Sequence, residues 1–235
     1  DRLFLTGAFY LNTSSNQLVG LPLPGTAGFT SLTANLDASV QNKGLEFTFR
    51  SLNMQSKYFE WTTTFNISAN KNKLLSYPGL ESSSNANRYV IGHSININKL
   101  YNYVGINPQN GAYNFYDFNN DGQITSIDDR QFLVDLNPKF FGGIQNDIRY
   151  KNLQVDFLFQ FVKQQAFAYL PAVPGSFTNQ LGSLDNFWQS ADVPADYQKL
   201  TTGTNSVLNT AYTRFKTSDA ALEDASFIRL KSISL

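Results

Sequence analysis

The sequence predicts an all-β fold: about six long strands forming an antiparallel transmembrane β-barrel segment, part of a larger barrel. Three observations predict it. Apolar and polar residues alternate with period two over stretches of nine to thirteen residues. Short connections alternate with long ones. The 235-residue chain is 42% hydrophobic and 14% aromatic but only 15% charged, against about 25% for soluble domains.

The first strand, 2–12, places Leu3, Leu5, Phe9 and Leu11 on one side. The second, 43–53, sets Leu45, Phe47 and Phe49 opposite Glu46, Thr48 and Arg50. The third, 58–70, sets Phe59, Trp61, Phe65 and Ile67 opposite Glu60, Thr62, Thr64, Asn66 and Ser68. The fourth, 142–151, sets Ile144, Ile148 and Tyr150 opposite Gln145, Asp147 and Arg149. The fifth, 153–164, carries Leu153, Val155, Phe157, Phe159 and Phe161 at every second position. The sixth, 225–235, is β-like, with its phase blurred at Phe227-Ile228.

The connections 54–57 and 151–152 are short, whereas 13–42, 71–141 and 165–224 are long and rich in Gly, Pro, Asn and Ser. Short periplasmic turns and long extracellular loops are the plan of outer-membrane barrels. On that plan 2–12, 58–70 and 153–164 run outward and the other three inward. Segments 58–70 and 153–164 meet the roughly 9–11 residues that a tilted membrane strand needs. Tyr58, Phe59, Trp61 and Tyr150 gather at the short-turn end, as an interfacial aromatic girdle does. Six strands in lipid would leave two unpaired edges, and the smallest common membrane barrels have about eight. The chain is therefore expected to be an arc of a barrel. The alternative is a secreted, Ca²⁺-binding β-sandwich acting as an adhesin or carbohydrate-binding module. In it Phe47, Phe65, Phe157 and Phe159 would face a protein core instead of lipid.

Composition narrows the function. Net charge is zero, so nothing marks a nucleic-acid surface. Cysteine is absent, which removes disulfides and cysteine zinc sites. No apolar run approaches the roughly 20 residues of a membrane helix, and no signal peptide pattern opens the chain at Asp1-Arg2-Leu3. The single histidine, His93, lies in an Asn/Ser-rich stretch with nothing nearby to orient it as a base. The chain is not expected to be an enzyme.

Residues 117–128 read as a D-x-N-x-D-G loop with an acid at position twelve. That spacing aims the oxygens of Asp117, Asn119 and Asp121 at one point, with the Gln123 carbonyl and Asp128 completing a Ca²⁺ set. Gly122 permits the sharp turn. Asp129 is a substitute for Asp128, whose side chain is shorter than the usual Glu. The expected role is a structural Ca²⁺ that stiffens a surface loop.

Recognition begins at this loop. Residues 116–130, followed by Asn137-Pro138-Lys139-Phe140-Phe141-Gly142-Gly143 and then Tyr150-Lys151 through Gln160, resemble SusC/RagA-type TonB-dependent transporters. Asn42-Lys43-Gly44-Leu45-Glu46, the Phe65-to-Lys73 stretch, Asn186-Phe187-Trp188 and the Glu223-to-Lys231 motif fit the same family, collinearly over about 42–235. The resemblance implies a barrel of about 22 strands, of which this chain is a late portion without plug, N-terminal domains or final strands. It further implies a location in the bacterial outer membrane and TonB-energised import of a glycan or peptide oligomer. A SusD-like lipoprotein would cap the loops. Loop aromatics such as Tyr101, Tyr103, Tyr113, Phe115, Tyr116 and Trp188 either pack the loops on each other or stack on substrate; packing is the favoured expectation.

Overall fold

The computed structural model describes residues 2–22, 31–83, 85–180 and 185–235. Parts of the expected 13–42 and 165–224 connections, residues 23–30 and 181–184, lie outside that description. The strands are β1 (Leu3–Ser14), β2 (Gln17–Pro22), β3 (Ser31–Leu36), β4 (Ser39–Gln55), β5 (Phe59–Ser76), β6 (Ile97–Leu100) and β7 (Tyr103–Ile106). They continue as β8 (Tyr113–Phe115), β9 (Phe132–Asp135), β10 (Phe140–Tyr150), β11 (Leu153–Lys163), β12 (Gln165–Phe167), β13 (Leu222–Asp224) and β14 (Phe227–Ser234). Among the described residues one α-helix, α1 (Ser206–Phe215), lies between β12 and β13.

The six expected strands form one antiparallel sheet in the order β1-β4-β5-β10-β11-β14. The sheet is open, with β1 and β14 at its edges. Two strands outrun the sequence reading. β4 has 17 residues and β5 has 18, because their pairing continues beyond the apolar stretch through a polar ladder. There Asn42 pairs with Asn72, and Asn72 Nδ2 donates to Asn42 Oδ1 at 2.6 Å. The long connections also hold ordered structure of their own, including the β2–β3 hairpin and α1.

The chain divides into two compact units. The first comprises Asp1–Ile97, Asp135–Gln165 and Asp224–Leu235, and contains the large sheet. A small core at the long-loop ends of β4 and β5 gathers Ala38, Leu74, Tyr77 and Leu80, with Tyr89 and Ile95 packed on it. It is closed by the segment after β5, where Leu74 N donates to His93 O and Gly92 N to Leu74 O, both at 2.8 Å.

The second unit comprises Asn98–Val134 and Ala166–Glu223. Its core is Tyr101, Ala112, Tyr113, Phe115, Leu208, Ala211 and Tyr212. The helix forms because Asn205 caps it, accepting Val207 N at 3.0 Å and Leu208 N at 3.1 Å. Leu208, Ala211, Tyr212 and Phe215 then fall on one helical face. Phe215 stacks on Tyr113 with ring centres 4.1 Å apart and meets Tyr103 edge-on at 5.3 Å. Among the described residues no helix is long and apolar enough to cross a membrane.

Candidate functional site

The pairing register turns alternation along each strand into rows across the sheet. One row reads Leu5, Phe49, Phe65, Ile144, Phe159 and Leu230. The next reads Gly7, Phe47, Ile67, Gly142, Phe161 and Ile228. Phe47, Phe65, Phe157 and Phe159 thus share one face, and Leu5, Phe9, Phe47 and Leu230 are exposed on it. A contiguous exposed apolar face of this extent is the mark of a membrane or protein contact.

The opposite face is polar. Its rows include Thr6, Thr48, Asn66, Gly143, Gln160 and Arg229, with Arg229 Nη2 donating to Gln160 Oε1 at 2.9 Å. Asp147 and Asp156 are direct cross-strand neighbours, and Ser234 donates to Asp156. At the short-turn end, Phe59 pairs with Tyr150 and Tyr150 with Leu153. Lys151 N donates to Tyr58 O at 2.8 Å, joining the two turns. At the long-loop end Lys163 Nζ lies 2.5 Å from Asp224 Oδ2. The Lys163 hydrogen bond, with those from Ser226, holds the exposed Asp224 carboxyl well below the usual carboxylate range.

The acidic loop belongs to the second unit. Asp117 Oδ2 accepts Gly122 N at 2.7 Å, Asp121 Oδ1 accepts Gln123 N at 2.7 Å, and Asn119 Oδ1 accepts Asp121 N at 3.2 Å. Asn119 Nδ2 also donates to Asp121 Oδ2 at 3.0 Å. These are the local side-chain-to-backbone bonds of an Asx-rich turn, and Gly122 takes the left-handed φ of 80° that the turn requires. Asp128 is exposed and accepts Thr125 Oγ1 at 2.9 Å. Asp129 is fully buried. Its two oxygens accept Phe118 N at 2.8 Å and Thr125 N at 2.6 Å, clamping both ends of the loop. Sequence spacing could not distinguish these adjacent acids.

Arg214 of α1 donates to Ile124 O at 2.7 Å, tying the helix to the loop. Arg130 lies over Tyr101, 4.9 Å from the ring centre. Among the described residues no three His, Cys, Asp or Glu side chains converge on a metal position. One observation fits a cation. Asp117 Oδ1 is buried and has no hydrogen-bond partner. An anionic oxygen in that state is costly unless something compensates it.

The loop aromatics divide as chemistry suggests. Tyr101, Tyr113 and Phe115 are core residues. Burial pushes the Tyr113 hydroxyl well above its ordinary value, and does the same more mildly for Tyr103 and Tyr212. Tyr116 is exposed and meets Phe118 edge-on at 4.8 Å. Trp188 is half-buried against Gly111, where a Cβ would come within 2.5 Å of the indole. His93 is exposed.

Comparison with known proteins decides between the membrane and soluble readings. The chain is similar to TonB-dependent receptor P26 of Formosa agariphila, 28% identical over 100% of this chain and 26% of the relative. TonB-dependent receptor P3 of the same organism is 27% identical over 100% of this chain and 25% of its own length. The chain is similar to TonB-dependent receptors along its whole length. No protein-family profile matches it. Among solved structures, the RagAB peptide transporter superposes with a TM-score of 0.74 at 23% identity, over 99% of this chain and 26% of that one. The RagAB peptide importer in the "closed-closed" state gives 0.72 at 21% identity, again over 99% of this chain and 26% of that one. These likenesses concern the fold. The chain spans about a quarter of the curated relatives it matches. Its strands belong to an outer-membrane β-barrel, and the apolar face is the lipid face.

Proposed function

We propose that the complete receptor imports an oligomeric nutrient, a peptide or a glycan, across the outer membrane with energy delivered through TonB. The observation that carries this reading is the similarity to TonB-dependent receptors over the whole chain. The solved structures the chain resembles are of a peptide transporter, which puts peptide ahead of glycan. The segment supplies six strands of a barrel of about 22. The second unit forms part of the extracellular loop surface against which a SusD-like lipoprotein closes. In the test, cells lacking the receptor are fed fluorescent peptide and glycan oligomers too large for porins. Uptake of one class should fall to background in these cells, and a protonophore should abolish it in wild-type cells. Uptake unchanged by deletion overturns the reading.

A structural Ca²⁺ in the 117–128 loop is a second proposal, supported by the unpartnered Asp117 Oδ1. Asp117, Asn119, Asp121, the Gln123 carbonyl and Asp128 would hold it. A calorimetric titration of the chelator-treated receptor should show one binding event, weakened at least tenfold in Asp117→Asn. No heat of binding, together with unchanged loop protection from proteolysis, rejects the ion.

A further inference from the structure

The lipid face is not uniformly apolar. The row below Phe65 and Phe159 reads Leu3, Ser51, Thr63, Asn146 and Phe157. Its centre is a polar chain. Asn53 Nδ2 donates to Thr63 Oγ1 at 2.7 Å, and Thr63 Oγ1 donates to Asn146 Oδ1 at 2.6 Å. Trp61 Nε1 donates to the same Asn146 oxygen at 3.0 Å. Asn53 joins this chain through an irregularity in β4, between Leu52 and Met54, where two residues oppose one on β5 and the side chain is re-aimed. Three neutral polar side chains on a lipid face are expensive there unless their remaining groups find partners. Asn146 Nδ2 has no protein acceptor among the described residues, and Asn146 is part-buried.

Two rows further along, at the short-turn end, stand two lysine–tyrosine pairs. Lys151 Nζ lies 5.3 Å from the Tyr150 ring centre, and Lys57 Nζ 5.1 Å from that of Tyr58. The Tyr58 O to Lys151 N bond brings the pairs together. Tyr150 is on the lipid face by register. Neither ammonium has a carboxylate within ion-pair distance among the described residues. The two lysines therefore cap the lipid face with unneutralised positive charge at headgroup level.

We propose that this end of the lipid face is a binding site for one glycerophospholipid. Lys57 and Lys151, steadied by Tyr58 and Tyr150, hold the phosphate. The Asn53, Thr63 and Asn146 chain, with Asn146 Nδ2 as donor, meets an ester carbonyl deeper in the face. The acyl chains lie on the phenylalanine rows above. Charge complementarity and continuity with the lipid face name the occupant. An ammonium near an anionic membrane surface contributes enough for two of them to matter. The site concerns lipid and stands whichever nutrient the receptor imports.

The test uses the complete receptor in mild detergent, exposed to dioleoyl-phosphatidylglycerol or to dioleoylglycerol, which lacks the phosphate. Retained lipid is counted by native mass spectrometry. The wild type should keep phosphatidylglycerol and release dioleoylglycerol. K57Q/K151Q, altered only at exposed turn residues, should retain roughly tenfold less phosphatidylglycerol or lower still. N146V should lose it too, and a heat-modifiable gel shift identifies variants that remain folded. Equal retention of both lipids, or retention unchanged in K57Q/K151Q, overturns the proposal. So does efficient cross-linking of K151C between two receptors in the native membrane, which assigns this surface to a second copy of the chain.

Discussion

Gly142→Val should remove the receptor from the outer membrane. Gly142 sits in the middle of an apolar row, between Ile67 on β5 and Phe161 on β11. A Cβ built there would lie 2.1 Å from the carbonyl oxygen of Asn66 and 2.6 Å from Phe161 Cζ. The ring could swing away, but the carbonyl belongs to the paired backbone of β5 and cannot. The absent side chain has a second consequence. Phe65 on β5 and Phe161 on β11 stack across β10, with ring centres 5.8 Å apart and planes 13° from parallel. Valine would therefore separate two strands and a stacked pair at once. Overpacking alone costs about 1–3 kcal/mol where side chains can yield, and here a ladder pairing is lost as well. The expected outcome is little or no heat-modifiable receptor in the membrane fraction. Gly7→Ala is the control. Its Cβ would meet only the Phe47 ring, at 3.2 Å, which can turn aside, so the level should stay near wild type. Normal assembly of Gly142→Val would show that the β5–β10 pairing is not constrained as described.

The six long strands were legible because a lipid-facing sheet obliges every second residue to be apolar over the full membrane thickness. Leu153 to Phe161 states this openly. The outer ends of β4 and β5 were illegible for the opposite reason. Beyond the membrane both faces are wet, and Asn70-Lys71-Asn72-Lys73 carries no alternation although it is paired strand. Helix α1 was hidden by its composition. Val207, Thr210, Tyr212, Thr213 and Phe215 are poor helix formers, and tertiary burial of one face outweighs them. The Asn205 cap ahead of Leu208, Ala211, Tyr212 and Phe215 was the signal available. The polar chain through Asn146 depends on three strands being in register, and no window along the sequence contains it. The same holds for the pairing of the Lys57 and Lys151 turns, 94 positions apart by subtraction of their numbers.

The acidic loop separates two roles that its sequence had merged, and two substitutions should separate them in the laboratory. Asp129→Ala removes the carboxylate that holds Phe118 N and Thr125 N. Hydrogen bonds to a charged group contribute roughly 1.5–3 kcal/mol each, and two N–H groups would be left without their partner. The second unit should lose about 3–6 kcal/mol of local stability on that basis, with the Arg214 tie to Ile124 loosened as the loop opens. Hydrogen exchange at the Phe118 and Thr125 amides should accelerate by two orders of magnitude or more, while the barrel strands keep their protection. Asp128→Ala should do the reverse. Asp128 is exposed and its side chain contacts only the Thr125 hydroxyl, so exchange without Ca²⁺ should change little, and the Ca²⁺-dependent part of the protection should shrink. If Asp129→Ala leaves both amides protected, the buried carboxylate is not what closes the loop. If both variants lose protection equally, metal binding and loop closure are one event, and position twelve of the motif cannot be assigned a separate duty.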